Sequence, residues 1–340
     1  KPQHQCHSGT LFRAAVSGIE ESRMKPADFS EIRRLPIAGR SNLVRTGEFA
    51  TVPRPGSGFL EFLDCFPKIK HRTNAAASLA VVIDRIAEAV ERECPVTWAL
   101  GPHVIKYGLT PLIVELMEMG VIRHVLTNGA GAIHDVEIAM IGETSEEMGG
   151  HISTGEFGMA EETGRFINGC ARHAAENGRG FGETIGRKIL DDNLPYAPFS
   201  LFAHAVKRNI PITVHVALGT DIIHMHPDMD GSATGTASFT DFRLFVATVR
   251  NLSGGVHLNI GSTVVLPEVF VKALTAANNL NRQPARDYTT VNIDHLSEYR
   301  PLMNVVRRGA MDGGEGYEII GRMEILVPLL VRILMERFGR

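Results

Sequence analysis

Cysteine is scarce in this sequence: four in 340 residues, Cys6, Cys65, Cys94 and Cys170. No two of them stand at the spacing of a zinc knuckle or a disulfide framework, so a reducing, cytoplasmic setting is expected. Long apolar runs are missing as well. The longest, at residues 325–335, is broken by Pro328 and Arg332, which suits a buried helix and is too short to cross a bilayer. Residues 1–10 are polar and lack an apolar centre, so no secretory signal is expected. There is no excess of one charge either. Thirty-five Lys and Arg face 38 Asp and Glu, for a formal net charge of -3 without a single-sign run. That removes the basic footprint of a nucleic-acid binder and the polybasic strip of a membrane-surface protein. No solenoid-length repeat and no low-complexity tract stands out.

What remains is ordinary globular composition, 44% hydrophobic and 21% charged, enough to bury a large core. Residues 45–58 hold Gly47, Pro53, Pro55, Gly56 and Gly58. They mark a connecting segment, so residues 1–73 are expected to form an N-terminal arm and residues 74–340 a single domain. In the body, Leu79, Val82, Ile83, Ile86 and Val90 recur at helical spacing. A unit then repeats: a short β-prone run, a polar glycine-bearing loop, and a helix. Residues 96–100 lead to Gly101-Pro102-His103, after which Thr110-Pro111 suggests a threonine-capped helix closed by Gly120. Residues 121–126 lead to Thr127-Asn128-Gly129-Ala130-Gly131, 212–218 to Gly219-Thr220-Asp221, 256–260 to Gly261-Ser262, and 288–291 to Asn292-Ile293-Asp294. Five such units predict an α/β fold, a Rossmann-like parallel sheet with helices on both faces. Residues 140–194, rich in Gly and Glu with two helical stretches, are an insertion suited to a lid or an oligomer contact.

Ligands of such sheets bind beyond the carboxyl ends of the strands, where helix N-termini offer free N–H groups. His103, Thr127, Asn128, His134, Asp135, Asp221, Asn259, Ser262, Asn292 and Asp294 all fall there, although Gly, Asn and Asp also simply make turns. The segment 127–131 lacks the third glycine of the dinucleotide fingerprint, but Gly129 and Gly131 would let backbone approach a phosphate or ribose. His224 and His226, two residues apart with Asp228 and Asp230 behind, are candidate ligands for a divalent metal or candidate bases, against the plainer reading of a polar loop. His134 and Asp135 could meet a cationic substrate or relay a proton, or serve only as first-turn polar residues of a helix. Arg300, Arg307 and Arg308, near Asp312, could clamp a carboxylate or phosphate.

With these segments in view, the chain resembles the deoxyhypusine synthase family over residues 74–336. Residues 100–109 (LGPHVIKYGL), 126–137, 218–221, 258–265 and 325–330 carry the likeness by their order and spacing. The resemblance implies an NAD-binding α/β domain and a homotetramer with sites at subunit interfaces. It further implies hydride removal from spermidine and transfer of an aminobutyl group to a protein lysine. It puts dinucleotide contacts on Gly101 to His103, Thr127 to Gly131, Asp221 and residues 292–294, with Asn259, Gly261 and Ser262 on the neighbouring junction. The family's acidic substrate pair falls on His134 and Asp135, one acid being replaced by histidine. Its nucleophilic lysine falls on the stretch Arg307-Arg308-Gly309, which has none, its histidine falls on a stretch reading Val264-Val265-Leu266-Pro267, and a late aspartate is replaced by Arg322. An imine on an amine nucleophile cannot form on arginine. The expectation is therefore NAD-dependent oxidation or aminoalkyl transfer on a small amine rather than hypusine synthesis. The alternatives are a metal-dependent hydrolase built on His224 and His226, or a non-catalytic dinucleotide-binding protein.

Overall fold

The computed structural model describes residues 29–46, 75–147, 149–311 and 313–339. Cys6, Cys65, Asp312 and most of the connecting segment lie outside the described residues. Its strands are β1 (Asn42–Arg45), β2 (Val96–Leu100), β3 (His124–Asn128), β4 (Glu143–Glu146), β5 (Ile212–His215), β6 (Val256–Ile260), β7 (Tyr288–Asp294) and β8 (Gly314–Ile320). Six of them form one sheet in the order β5-β3-β2-β6-β7-β8, parallel throughout. β1 and β4 pair antiparallel as a separate ladder. Counting the six sheet strands along the chain gives 3-2-1-4-5-6, the order of doubly wound dinucleotide-binding sheets. Its direction reverses between β2 and β6, which opens a crevice beyond Leu100 and Ile260.

Every residue of β2, β6 and β7 is buried, as a parallel sheet covered on both faces requires. On one face Trp98, Leu100, Leu258, Ile260, Val291 and Ile293 pack against α1 (Ala75–Glu91) through Leu79, Val82, Ile83 and Ile86. The C-terminal helix Met323–Arg337 adds Val327, Leu330 and Leu334 to the same core. Each fully buried side chain of this kind contributes about 2 kcal/mol. The opposite face is covered by the helices Gly231–Val249 and Val265–Asn281, where Phe245, Val249, Leu266 and Phe270 meet Ala99 and Leu126.

Local signals explain most boundaries. The helix Gly129–Ile141 starts where Asn128 Oδ1 accepts the Gly131 N–H at 3.0 Å and ends at Gly142, φ 73°. Thr110 behaves differently from expectation. The helix Thr110–Glu118 has Leu109 as N-cap without a side-chain bond, and the Thr110 hydroxyl is buried with no partner. The expected insertion holds the helices Glu161–Asn177 and Phe181–Asp191, and also β4.

Candidate active site

Strand register fixes the rim. Thr127 lies opposite Leu100, Leu100 opposite Ile260, and Ile260 opposite Ile293. Thr127 and Asn292 therefore lie near the ends of their strands, within one residue of the same level and three strand spacings or about 14 Å apart. Asp221, from the loop after β5, reaches the same edge: a Cβ on Gly129 would stand 1.9 Å from its Oδ2. The rim expected from sequence exists.

Several rim residues are bound to the protein itself. Thr127 Oγ1 donates to the Leu100 carbonyl at 2.9 Å, and a Cβ on Gly131 would meet that hydroxyl at 2.0 Å. Gly129 and Gly131 are thus glycine because Asp221 and Thr127 fill the space, a reason other than the phosphate approach read from sequence. Gly101 backs onto Gly261, where a Cβ would come 1.9 Å from the Gly261 carbonyl oxygen. Asn259 Nδ2 donates to Ser262 O at 2.9 Å and to Asn292 Oδ1 at 2.8 Å, and Ser262 Oγ accepts the Leu266 N–H at 3.4 Å. Asp294 Oδ1 accepts the His295 N–H at 2.7 Å and lies 2.8 Å from His295 Nδ1. Three buried atoms of this group have no partner: Asn259 Oδ1, Asn292 Nδ2 and Asp294 Oδ2. Unpaired buried polar atoms cost about 1–3 kcal/mol each and mark a place where a ligand or water completes the structure. His103 is exposed on the facing lip. Partial burial, the Lys106 charge and His295 hold its pKa below the ordinary histidine value.

Beside this rim opens a cleft of about 320 Å³. Its wall includes Arg40, Lys106, Ala130, His134, Glu137 and Glu146, with Asp221 at the edge shared with the rim. Arg40 Nη2 bonds Glu137 Oε2 at 2.7 Å and its Nη1 lies 3.6 Å from Glu146 Oε2, all three side chains being nearly inaccessible. Thr144 donates to Glu137 Oε2 at 2.5 Å, and His134 Nδ1 stands 2.7 Å from the same hydroxyl oxygen. Since that hydroxyl hydrogen is committed to Glu137, His134 must donate from Nδ1, which leaves Nε2 as a lone pair. Burial, together with Lys106, Arg40 and His103, pushes the His134 pKa down to about 3, so the ring is neutral. Burial pushes Asp221 up to about 6. Ser145, also in the wall, holds φ 66°, in the left-handed region that non-glycine residues avoid. A second cavity, about 200 Å³, shares Arg40 and Glu146 as its wall and adds His151.

Other candidates stand apart. Asp135 is fully buried and points away from the cleft: its carboxylate accepts the Ser200 hydroxyl at 2.5 Å and the Leu201 N–H at 2.6 Å, capping the helix Leu201–Lys207. Burial pushes its pKa up to about 6 against those bonds. Arg308 bonds Asn304 Oδ1 at 3.3 Å and borders an open groove with Glu268 and Lys272. Arg300 lies 3.6 Å from Glu268, and Arg307 reaches Met303. The divalent-metal reading of His224 and His226 is not supported. His224 Nδ1 accepts the N–H groups of Gly219 and Asp221, both at 3.1 Å, while His226 Nε2 donates to Gly158 O at 2.8 Å and its Nδ1 packs on Gly164. Among the described residues no three His, Cys, Asp or Glu side chains are placed to hold a metal ion. The two imidazoles shape the loop that presents Asp221.

Sequence reasoning missed Arg40, Lys106 and Glu146. Lys106 was visible only as part of the segment 100–109, and Arg40 lay in what was read as an arm. It also missed three histidines, His124, His215 and His257, buried on the sheet face under Phe245 and Phe270. His124 bridges Thr248 at 2.8 Å and Thr213 at 3.1 Å, His215 meets Thr213 at 3.1 Å, and His257 meets Thr97 at 2.8 Å. Burial pushes all three down to about 3.

No protein-family profile and no curated protein matches the chain. Solved structures match in fold. Unliganded AgrE superposes with a TM-score of 0.52 at 14% identity, covering 79% of this chain and 34% of that one. The ternary complex of AgrE with ornithine and NAD+ gives 0.51 at 15% identity over 77% and 33%. A deoxyhypusine synthase candidate from Entamoeba histolytica gives 0.43 at 13% identity over 83% and 95%. The match spans about a third of AgrE. The AgrE superpositions establish a shared α/β fold. No helix among the described residues is long and apolar enough to cross a membrane.

Proposed function

We propose that this chain is an NAD-binding enzyme of the deoxyhypusine synthase-like group that oxidises, or transfers an aminoalkyl group from, a small amine. The observation that carries the reading is the adjacency of two features: the strand-order reversal with its three unpartnered polar atoms, and the charged cleft that shares Asp221 with the same rim. NAD bound there would supply a hydride acceptor. Gly101 to His103, Asp221 and residues 292–294 would hold it, and the orphan atoms of Asn259, Asn292 and Asp294 suit a ligand that both donates and accepts hydrogen bonds. The N-terminus of the helix Gly129–Ile141 is already faced by the Asp221 carboxylate. A dinucleotide would therefore meet this corner through hydroxyl donors to Asp221 rather than through phosphate.

The substrate's place is the cleft. His134 offers it an acceptor nitrogen whose tautomer is set by Thr144 and Glu137, and Arg40 neutralises the two buried acids of the wall. The ornithine and NAD+ bound by AgrE support a pairing of amine and dinucleotide on this fold. A homotetramer in the cytoplasm belongs to the same proposal. Calorimetric titration with NAD tests it directly. Saturable binding that weakens at least tenfold in Asp221→Ala is expected, and no heat at millimolar NAD would overturn it. Reduced nicotinamide should then form with one member of a panel of small amines.

A further inference from the structure

The last strand brings a cation to the rim. β8 pairs with β7 as far as Ile320 opposite Asp294, and the Gly321 N–H donates to the Asp294 carbonyl at 2.9 Å, which carries the ladder one residue further. The chain then turns at Arg322 into the helix Met323–Arg337. Met323 covers Gly261, where a Cβ would stand 2.7 Å from its Cε. Since Gly261 follows β6 and backs onto Gly101 at the strand-order reversal, the start of this helix borders the crevice. Arg322 is exposed there. As N-cap it makes no side-chain bond, and its guanidinium has no hydrogen-bond or ion-pair partner among the described residues. Neighbouring charges are committed elsewhere. Arg300 lies 3.6 Å from Glu268, and Arg308 bonds Asn304 Oδ1 at 3.3 Å. Asp294 is buried with Oδ1 on His295, and Glu318 accepts the Ser297 hydroxyl at 2.8 Å. Glu324, the first-turn acid of the helix, forms no ion pair with Arg322 among the described residues.

The substrate cleft lies on the Asp221 side of the rim, so the hydride-accepting ring belongs there and the adenosine half of a dinucleotide extends toward β7 and β8. From β3 to β8 is four strand spacings, about 19 Å, a span that an extended dinucleotide covers. Dinucleotide sites tell their two cofactors apart at the 2′ position of the adenosine ribose: a carboxylate accepts the 2′-hydroxyl of NAD, whereas an arginine takes the 2′-phosphate of NADP. Here the exposed, uncommitted group is the arginine. A phosphate matches the planar fork of a guanidinium with two parallel N–H bonds, and a bare hydroxyl does not. We propose that Arg322 is a specificity-determining residue and that this protein takes NADP in preference to NAD, with the 2′-phosphate on its guanidinium. The assignment rests on the dinucleotide reading of the rim and names the phosphate form that the rim selects.

Calorimetric titration with NAD and with NADP tests this. NADP should bind at least tenfold more tightly, about 1.4 kcal/mol, and should displace NAD from one common site. Arg322→Gln should bring NADP down to the affinity of NAD and leave NAD unchanged, and Arg322→Asp should make NAD the tighter of the two. Neither substitution removes a side-chain contact among the described residues, so circular dichroism spectra should match wild type. Adenosine 2′,5′-bisphosphate should bind more tightly than 5′-AMP to wild type and lose that advantage in Arg322→Gln, which localises the effect to the 2′-phosphate. Equal affinities, tighter NAD, a preference that survives Arg322→Gln, or NADP that binds without displacing NAD would overturn the assignment. Binding of NAD with no preference for NADP refutes the role of Arg322 alone. Binding of neither refutes the dinucleotide reading, and this assignment with it.

Discussion

Asp221 Oδ2 lies where Gly129 has no side chain, so close that a Cβ there would stand 1.9 Å away. Gly129 opens the helix that follows β3 and Asp221 lies in the loop after β5, and their contact locks the two segments into one rim. Gly129→Ala should therefore displace the carboxylate and destabilise the protein by about 1–3 kcal/mol. The same substitution in an Asp221→Ala background should cost distinctly less. Urea denaturation of the four proteins measures this coupling, and strictly additive losses would contradict the contact.

Asp135 illustrates a polar residue that reads like part of a site and serves the scaffold. Asp135→Ala strands the Ser200 hydroxyl and the Leu201 N–H in the interior and should cost about 3 kcal/mol. Ligand affinity of the folded fraction should be unchanged. A large drop in NAD affinity at full folding would move Asp135 back into the site.

The three histidines under Phe245 and Phe270 give stability a definite pH dependence. Burial takes each folded pKa from 6.5 to about 3, so between those values the unfolded chain binds protons that the folded one refuses. Stability is whole above pH 6.5 and is lost on acidification, by about 2 kcal/mol per histidine from pH 7 to 5. Asp135 and Asp221, pushed up to about 6, act in the opposite sense and gain stability as the pH falls. A comparison with His215→Gln isolates one histidine. Wild type should lose about 2 kcal/mol more than the variant over that interval, and parallel curves would refute the assignment.

Arg40 is the cation between Glu137 and Glu146. Arg40→Met leaves two buried carboxylates facing each other and should cost about 3–5 kcal/mol near neutral pH. Arg40→Met with Glu146→Gln should recover much of the loss, because one of the two facing charges is then gone. Thermal melts of the wild type, the single variant and the double variant check both statements.

The parallel sheet was legible because its strands carry apolar runs that end in glycine-bearing loops. Their ends were less so. β3 runs on through Thr127 and Asn128, and β7 through Asp294, since polar residues at strand ends look like loop to a hydrophobicity pattern. β8 was invisible: Gly314, Glu315, Gly316 and Glu318 dilute an edge strand whose register on β7 is set by tertiary contact. The rim could be inferred from which residue types follow strands. The division of labour within it could not, because Asp135 and Thr127 differ from Asp221 only in what lies across from them. Arg40 was beyond reach for the same reason, since Glu137 is 97 residues away.

The β1–β4 ladder pairs Asn42 with Glu146 and Val44 with Thr144, stitching an early stretch of chain onto the two residues that flank Ser145. A polypeptide begun at Ala75 would retain all six strands of the large sheet and a near-native circular dichroism spectrum. It would nevertheless lack the guanidinium that keeps the cleft's acids quiet, so a well-folded fragment of this protein would be an electrostatically different receptor.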